Sequence, residues 1–276
     1  MRPEARRSDW NERGFFILRE LVSPAAARAV EEEVIACIRA DPPEAHPGER
    51  LYTASPDYAI VPETQPSPVA RNPEDRVAKV FNCHTHGHAR SIAESAAIVD
   101  IVEEILGPDL DCFQTQFIFK NPGVIGQPWH QDSYYFDFDT QPQVGVWLAL
   151  SRATLQNGCL WVLPGSHKGP IRTHFPDRRP AANRLYMEVI DLDESAREPA
   201  LMEPGDVLFF HSYLLHMSTD NVASERRAAM VYHYARGGTR PVTPQVASSL
   251  AQTNRWIPVR RQGETTRVSG GPQKRS

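Results

Sequence analysis

Long apolar runs are missing from this 276-residue chain. No stretch approaches the roughly 20 apolar residues that a membrane-spanning helix requires. The N-terminus, MRPEARR, is charged and no apolar core follows it, so no secretory signal is read there. Cysteine is scarce. Cys37, Cys83, Cys112 and Cys159 lie far apart with no CxxC spacing, which argues against a disulfide frame or a zinc knuckle and fits free thiols in a reducing compartment. An excess of positive charge is also absent: 30 Lys and Arg against 34 Asp and Glu give a net charge of −4. That balance leaves no nucleic-acid footprint. The expectation is a cytoplasmic protein that engages neither nucleic acid nor membrane. No internal repeat is visible, and nothing fixes an oligomeric state.

What is present is an ordinary globular composition, large enough for one well-buried domain. Gly14 to Leu18 (GFFIL) reads as a first strand. Ser23-Pro24 reads as an N-cap followed by proline at the first helical position, and Val30, Val34 and Ile38 recur at helical spacing until Asp41-Pro-Pro43. Residues 42–75 read as a long irregular flap. A second helix is expected from Ser91, with Glu94 completing a capping box, ending at Gly107-Pro108. After residue 110 come short β-like runs: Cys112 to Lys120, Val144 to Leu150, Leu160 to Leu163, Val207 to Phe210 and Met230 to Tyr234. Helices first and strands after predict a mainly β (α+β) fold, a helical layer on a double-stranded β-helix or jelly roll. The expectation is a single domain over 1–260, its core at about 78–240, and a disordered basic tail over 261–276.

The chemistry concentrates at Pro128-Trp-His130-Gln-Asp132. Positions i and i+2 of an extended segment point the same way, so His130 and Asp132 can reach one ion. His216, after the apolar strand Val207-Leu-Phe-Phe210, can supply a third ligand; His211 is its rival. Two imidazoles and a carboxylate suit non-haem Fe(II) with open positions, and zinc also accepts such a set. Eleven residues past His216 stands Arg227, a rigid fork for a carboxylate. Arg226 is its rival, but strand alternation groups Arg227 with Ala229 and Val231 on the face expected inside. Iron beside a carboxylate clamp is what a chelating 2-oxo acid requires.

Several stretches resemble the phytanoyl-CoA hydroxylase family of Fe(II)/2-oxoglutarate dioxygenases. They are Ala78-Lys-Val-Phe81, Thr115-Gln-Phe-Ile-Phe-Lys-Asn-Pro122, Trp129-His-Gln-Asp132, Gly145-Val-Trp147, Asn157-Gly-Cys-Leu-Trp-Val-Leu-Pro-Gly-Ser-His-Lys-Gly169, Pro204-Gly-Asp-Val-Leu-Phe-Phe-His211 and His216 through Arg227. They cover most of residues 78–235 in one order. The resemblance implies a cupin-like jelly roll, iron held by His130, Asp132 and His216, and 2-oxoglutarate contacted by Lys79, Gln116, Trp147, Ser218 and Arg227. Arg227 would pair with the C5 carboxylate and Ser218 donate to it. The family often has methionine where Gln116 stands. It also implies O2 as co-substrate, a small-molecule organic or acyl-type substrate, and succinate and CO2 as products. Asp132 fills the position a halogenase leaves for halide. Desaturation, cyclisation and endoperoxidation use the same centre, and a non-catalytic binding module is the reading from another class. The substrate-choosing loops are expected at 42–76, 84–90 and 170–200, where the arginines Arg172, Arg178, Arg179 and Arg184 hint at an anionic substrate.

Other features have plainer readings. His84, His86 and His88 could form a further metal site, but Gly87 makes a shared strand face doubtful and a loop near the site mouth is expected. His167 reads as a turn histidine bonding backbone. Tyr134 and Tyr135 follow the HxD turn, and one of them can line a pocket.

Overall fold

The computed structural model describes residues 1–67, 69–180, 182 and 186–266. Its N-terminal half runs α1 (Pro3–Arg13), β1 (Phe15–Leu18), α2 (Pro24–Ala40), β2 (Tyr52–Ala54), β3 (Tyr58–Pro62), β4 (Val77–Phe81), α3 (Gly87–Ala93), α4 (Ala96–Leu106) and β5 (Leu110–Lys120). Then follow β6 (Val144–Ala149), β7 (Leu160–Val162), β8 (Phe175–Pro176), β9 (Met187–Glu188), β10 (Glu198–Ala200), β11 (Val207–His211), β12 (His216–Ser218), β13 (Arg227–Arg236), α5 (Pro244–Leu250), β14 (Ile257–Arg261) and β15 (Glu264–Thr265).

The strands form one large antiparallel sheet in the order β1-β11-β6-β13-β5-β4-β3-β2, with β14 on β5, and a small sheet β10-β7-β12. The arrangement is mainly antiparallel β with few helices, and it does not close into a barrel. Strand alternation divides the large sheet into two faces. On one, Val146, Leu148, Phe209, Met230 and Tyr232 pack with Val30, Val34, Ile38, Ile98 and Val102 of α2 and α4. Full burial of each aliphatic side chain contributes about 1.5–3 kcal/mol. On the other, Trp147, Ala149, Leu208 and Val231 meet Leu160 and Val162 of the small sheet. The functional cavity opens between these two inner faces.

The α2 expectation matches in detail: Ser23 Oγ accepts from Ala26 N, and Pro24 opens the helix. Three expectations change. Residues 42–75 are not a flap, because β2 and β3 pair antiparallel and continue the large sheet through β4. The helix expected from Ser91 is two helices. Ser91 lies inside α3 with its hydroxyl on Gly87 O, and Glu94 receives Arg90 Nε at 2.9 Å rather than closing a capping box. Of the segment expected as a tail, Arg261 to Thr266 are described, and Arg261 pairs with Glu264 across the β14–β15 turn. Residues 267–276 lie outside the described residues.

Candidate metal and co-substrate site

His130 and His216 are joined through their backbones before any ion is considered. His130 N donates to His216 O at 3.0 Å and His216 N to His130 O at 3.1 Å. This bridge sets the imidazoles side by side, centroids 4.1 Å apart. Each Nδ1–H donates to a carbonyl two residues back, Pro128 O at 2.8 Å and Leu214 O at 3.0 Å. Both tautomers are therefore fixed with the Nε2 lone pair free, as metal-bound histidine requires. Asp132 opens a short 3-10 turn and brings Oδ1 to 3.6 Å from His130 Nε2 and 3.7 Å from His216 Nε2. The three ligand atoms lie within 4.8 Å of one another, and all three residues are buried. Burial first, and then the neighbouring His216, push His130 well below the ordinary histidine range, which keeps it neutral for ligation.

The rival assignments separate in space. His211 packs against Trp10 and His167, away from the cluster. Arg226 pairs with Asp75 at 3.2 Å. Arg227 is 1% exposed and lines the cavity, with Cζ 5.5 Å from the centre of the Trp147 ring.

All five residues expected to contact the co-substrate, Lys79, Gln116, Trp147, Ser218 and Arg227, line one cavity of about 320 Å³ with the three candidate ligands. Its cations are poorly compensated. Arg227 has no ion pair among the described residues, and its Nε and Nη1 are buried without a hydrogen-bond partner. Burial pushes Arg227 down to about 10 and Lys79 down to about 8. Trp147 Nε1 is likewise buried and unpartnered. Orphaned donors beside excess positive charge are the signature of a missing anion. A dicarboxylate that also chelates iron fits this donor set.

Sequence reasoning missed Lys120. It ends β5 directly opposite Arg227, and its Nζ donates to Ser218 Oγ at 2.8 Å and Thr219 O at 3.0 Å. Burial and then Arg227 push it well below the ordinary lysine range. Its pairing with Arg227 is a long-range register that no local pattern announces. His233 was also missed: it shares the inward face of β13 with Arg227 and Val231, and parity alone could have marked it. Gln127 and Tyr186 complete the wall beside Lys79. Lys79 Nζ donates to Gln116 Oε1 at 3.2 Å and Gln127 Oε1 at 3.1 Å, and lies 5.1 Å from the Tyr186 ring centre.

Known proteins share these features. The family model described as Phytanoyl-CoA dioxygenase (PhyH) matches residues 10–229. The chain belongs to the phytanoyl-CoA dioxygenase family. Peroxisomal phytanoyl-CoA dioxygenase of Rattus norvegicus is 31% identical over 238 residues, 83% of this chain and 67% of that protein. The Homo sapiens protein is 36% identical over 145 residues, 50% of this chain and 43% of that one. The match thus spans about two thirds of the rat relative and less than half of the human one. Among solved structures, the non-heme monooxygenase ThoJ has a TM-score of 0.64 at 22% identity, covering 86% of this chain and 79% of that one. The epimerase SnoN, solved with Fe3+, alpha ketoglutarate and nogalamycin RO, has a TM-score of 0.61 at 17% identity, with 88% of each chain covered. EvdO2 of Micromonospora carbonacea var. aurantiaca, complexed with 2-oxoglutarate, has 0.60 at 20%, covering 88% and 94%. These neighbours give the fold, an open cupin-like arrangement. The family makes the chain a dioxygenase of the oxidoreductase class, and the family's iron and 2-oxoglutarate fit the donors described above.

The remaining expected features resolve individually. His84 is buried, with Nδ1 3.1 Å from Thr115 Oγ1 and Nε2 2.6 Å from Arg255 O, and His86 contacts Thr85. Neither joins a metal cluster among the described residues. His167 Nε2 lies 3.2 Å from Asn11 O, the expected turn role. Tyr135 lines the cavity, whereas Tyr134 stacks on His174 at 4.1 Å. Segment 170–200 carries β8, β9 and β10 rather than bare loop, and Arg179 is bound to Asp177 and Gly126 O. Arg184 lies outside the described residues.

Proposed function

We propose that this chain is an iron(II)- and 2-oxoglutarate-dependent dioxygenase that hydroxylates an unactivated C–H bond of a small metabolite, natural product or acyl-type substrate, releasing succinate and CO2. One observation carries the reading: a two-histidine, one-carboxylate cluster shares its cavity with a buried arginine that lacks an anionic partner. Iron with 2-oxoglutarate, when bound, supplies the oxidising chemistry.

The chain's own residues prepare the site. His130 and His216 offer preset Nε2 lone pairs, and Asp132 adds the negative charge. Arg227 takes the distal carboxylate in a fork. Ser218 Oγ already accepts from Lys120 Nζ and Gln127 N, so its proton is free to donate to that carboxylate. Lys79 uses two of its three donors on Gln116 and Gln127 and keeps one for the co-substrate. Gln116 thereby acts through Lys79 as well as from the cavity wall. Trp147 and Tyr186 wall out water. We place the protein in the cytoplasm on its free thiols; no helix among the described residues is long and apolar enough to cross a membrane.

The test is succinate formation by purified protein supplied with Fe(II), O2 and 2-oxoglutarate. Slow, iron-dependent release without substrate is expected, and its absence together with the absence of any substrate-stimulated release rejects the reading.

A further inference from the structure

The cavity extends past the cluster to an end that the co-substrate does not use. Strand β13 aligns Arg227, Ala229, Val231 and His233 opposite Lys120, Ile118, Gln116 and Gln114 of β5. At about 3.3 Å per residue, His233 lies about 20 Å along the strand from Arg227. Arg227 and Lys120 mark one end, and the His233 end is amide and aromatic.

Lys79 sets the hydrogen-bonding sense of this row. An ammonium only donates, so Gln116 turns its oxygen to Nζ and its amide nitrogen the other way. That nitrogen lies 2.8 Å from Gln114 Oε1 and 3.4 Å from His233 Nε2. Gln114 in turn donates to Asn254 Oδ1 at 2.7 Å. With Gln116 as donor, His233 Nε2 is the acceptor and the ring proton sits on Nδ1. Nδ1 stands 3.8 Å from Asp132 Oδ2, outside hydrogen-bond reach. Phe136 and Phe113 hold the ring, with centroids at 5.0 and 5.9 Å. A buried N–H donor therefore faces the cavity beside the metal-binding cluster.

We propose that His233 is a specificity-determining residue, its Nδ1–H receiving an uncharged acceptor oxygen (hydroxyl, ether or carbonyl) of the organic substrate near the carbon that reacts. This rests on the dioxygenase reading above. Neutrality follows from the strand pairing, which puts Arg227 and Lys120 at the opposite end from His233 and sets Gln114 beside it. Size follows from the cavity. About 320 Å³ is at the low end for small-ligand sites and is shared with the co-substrate, so only a small portion of the substrate enters. The arginines of segment 170–200 do not reach this end as cavity-lining residues among those described.

The experiment compares succinate formation stimulated by acetophenone, ethylbenzene and phenylacetate, matched in size and differing in oxygen and charge. Wild type should favour acetophenone over ethylbenzene about tenfold, the worth of one buried neutral hydrogen bond, and should not favour phenylacetate. His233→Asn keeps a donor near Nδ1 and should retain most of the ratio, whereas His233→Leu should bring it to parity. The ratio is internal to each variant, so a general loss of fold or activity does not move it. Parity in wild type, an undiminished ratio in His233→Leu, or a preference for phenylacetate overturns the proposal. A wild type that forms no iron-dependent succinate with or without a probe sinks the dioxygenase reading itself, and the proposal with it.

Discussion

Arg227→Met removes a charge that the fold leaves uncompensated, and it should move stability and co-substrate binding in opposite directions. Burial lowers Arg227 from the ordinary arginine range to about 10. A fall of that size corresponds to about 3 kcal/mol against the charged folded state. Below about pH 10 the group is protonated in both folded and unfolded chains, so the penalty is constant through the neutral range. It is relieved only as pH rises above about 10, towards the ordinary arginine range. The substitution gives up the contact with the Trp147 ring, about 1 kcal/mol. The net is about 2 kcal/mol of added stability without co-substrate, a rise in Tm of about 5 °C. With 2-oxoglutarate the sign reverses. A bidentate, charge-assisted pair contributes about 3 kcal/mol, so the 2-oxoglutarate requirement should rise about a hundredfold. Thermal melting of anaerobic, iron-loaded protein with and without 2-oxoglutarate reads both effects, and succinate release gives the KM. A variant that melts several degrees below wild type on its own, and still gains the full wild-type shift from 2-oxoglutarate, would refute the reasoning.

Three further outcomes are expected. Asp132→Ala should reduce bound iron from about one per chain to near none by metal analysis, because the cluster loses its only anionic ligand; retained stoichiometric iron contradicts the ligand set. Gly126→Ala places a Cβ 1.7 Å from the Ser218 carbonyl oxygen, a backbone clash that should cost about 2 kcal/mol or more and lower the melting temperature. An unchanged Tm would mean that this crossing is looser than described. Lys79, lowered to about 8 by burial, must be charged to attract a dianion. Affinity for 2-oxoglutarate should therefore weaken as pH rises above about 8, with proton uptake on binding in calorimetry. Over pH 8 to 10.5 the stability of the co-substrate-free protein should rise with pH, since there the unfolded chain holds a proton that the native chain does not.

Much of the site was legible because its residues sit on strands with clear apolar alternation. The runs now seen as β5, β6, β7, β11 and β13 were read near their true positions, and parity on β13 selected Arg227 over Arg226. What escaped depends on pairing between distant segments. Strands β2 and β3 are three and five residues long and lie among prolines, too short to show a period. They hold because β3 pairs with β4. The α3–α4 break turns on Arg90 claiming Glu94, a competition that a capping-box pattern cannot display. Lys120 became part of the anion site only once the β5–β13 register set it against Arg227. Tyr134 and Tyr135 looked equivalent in sequence, and the 3-10 turn at Asp132 separates their directions.

The residue between the two local ligands ties the centre to a distant segment. Gln131 is fully buried; its Nε2 donates to Pro170 O and Tyr213 O, its Oε1 accepts from Arg172 N, and its backbone N donates to His174 Nε2. The root of segment 170–200 is thus riveted to the peptide that carries His130 and Asp132. A second tie lies further along the segment, where Val189 N donates to Trp129 O at 2.7 Å and Val189 packs on Trp129 and Leu215. Held at both points, the segment can vary in sequence between them while the peptide of His130 and Asp132 keeps its position.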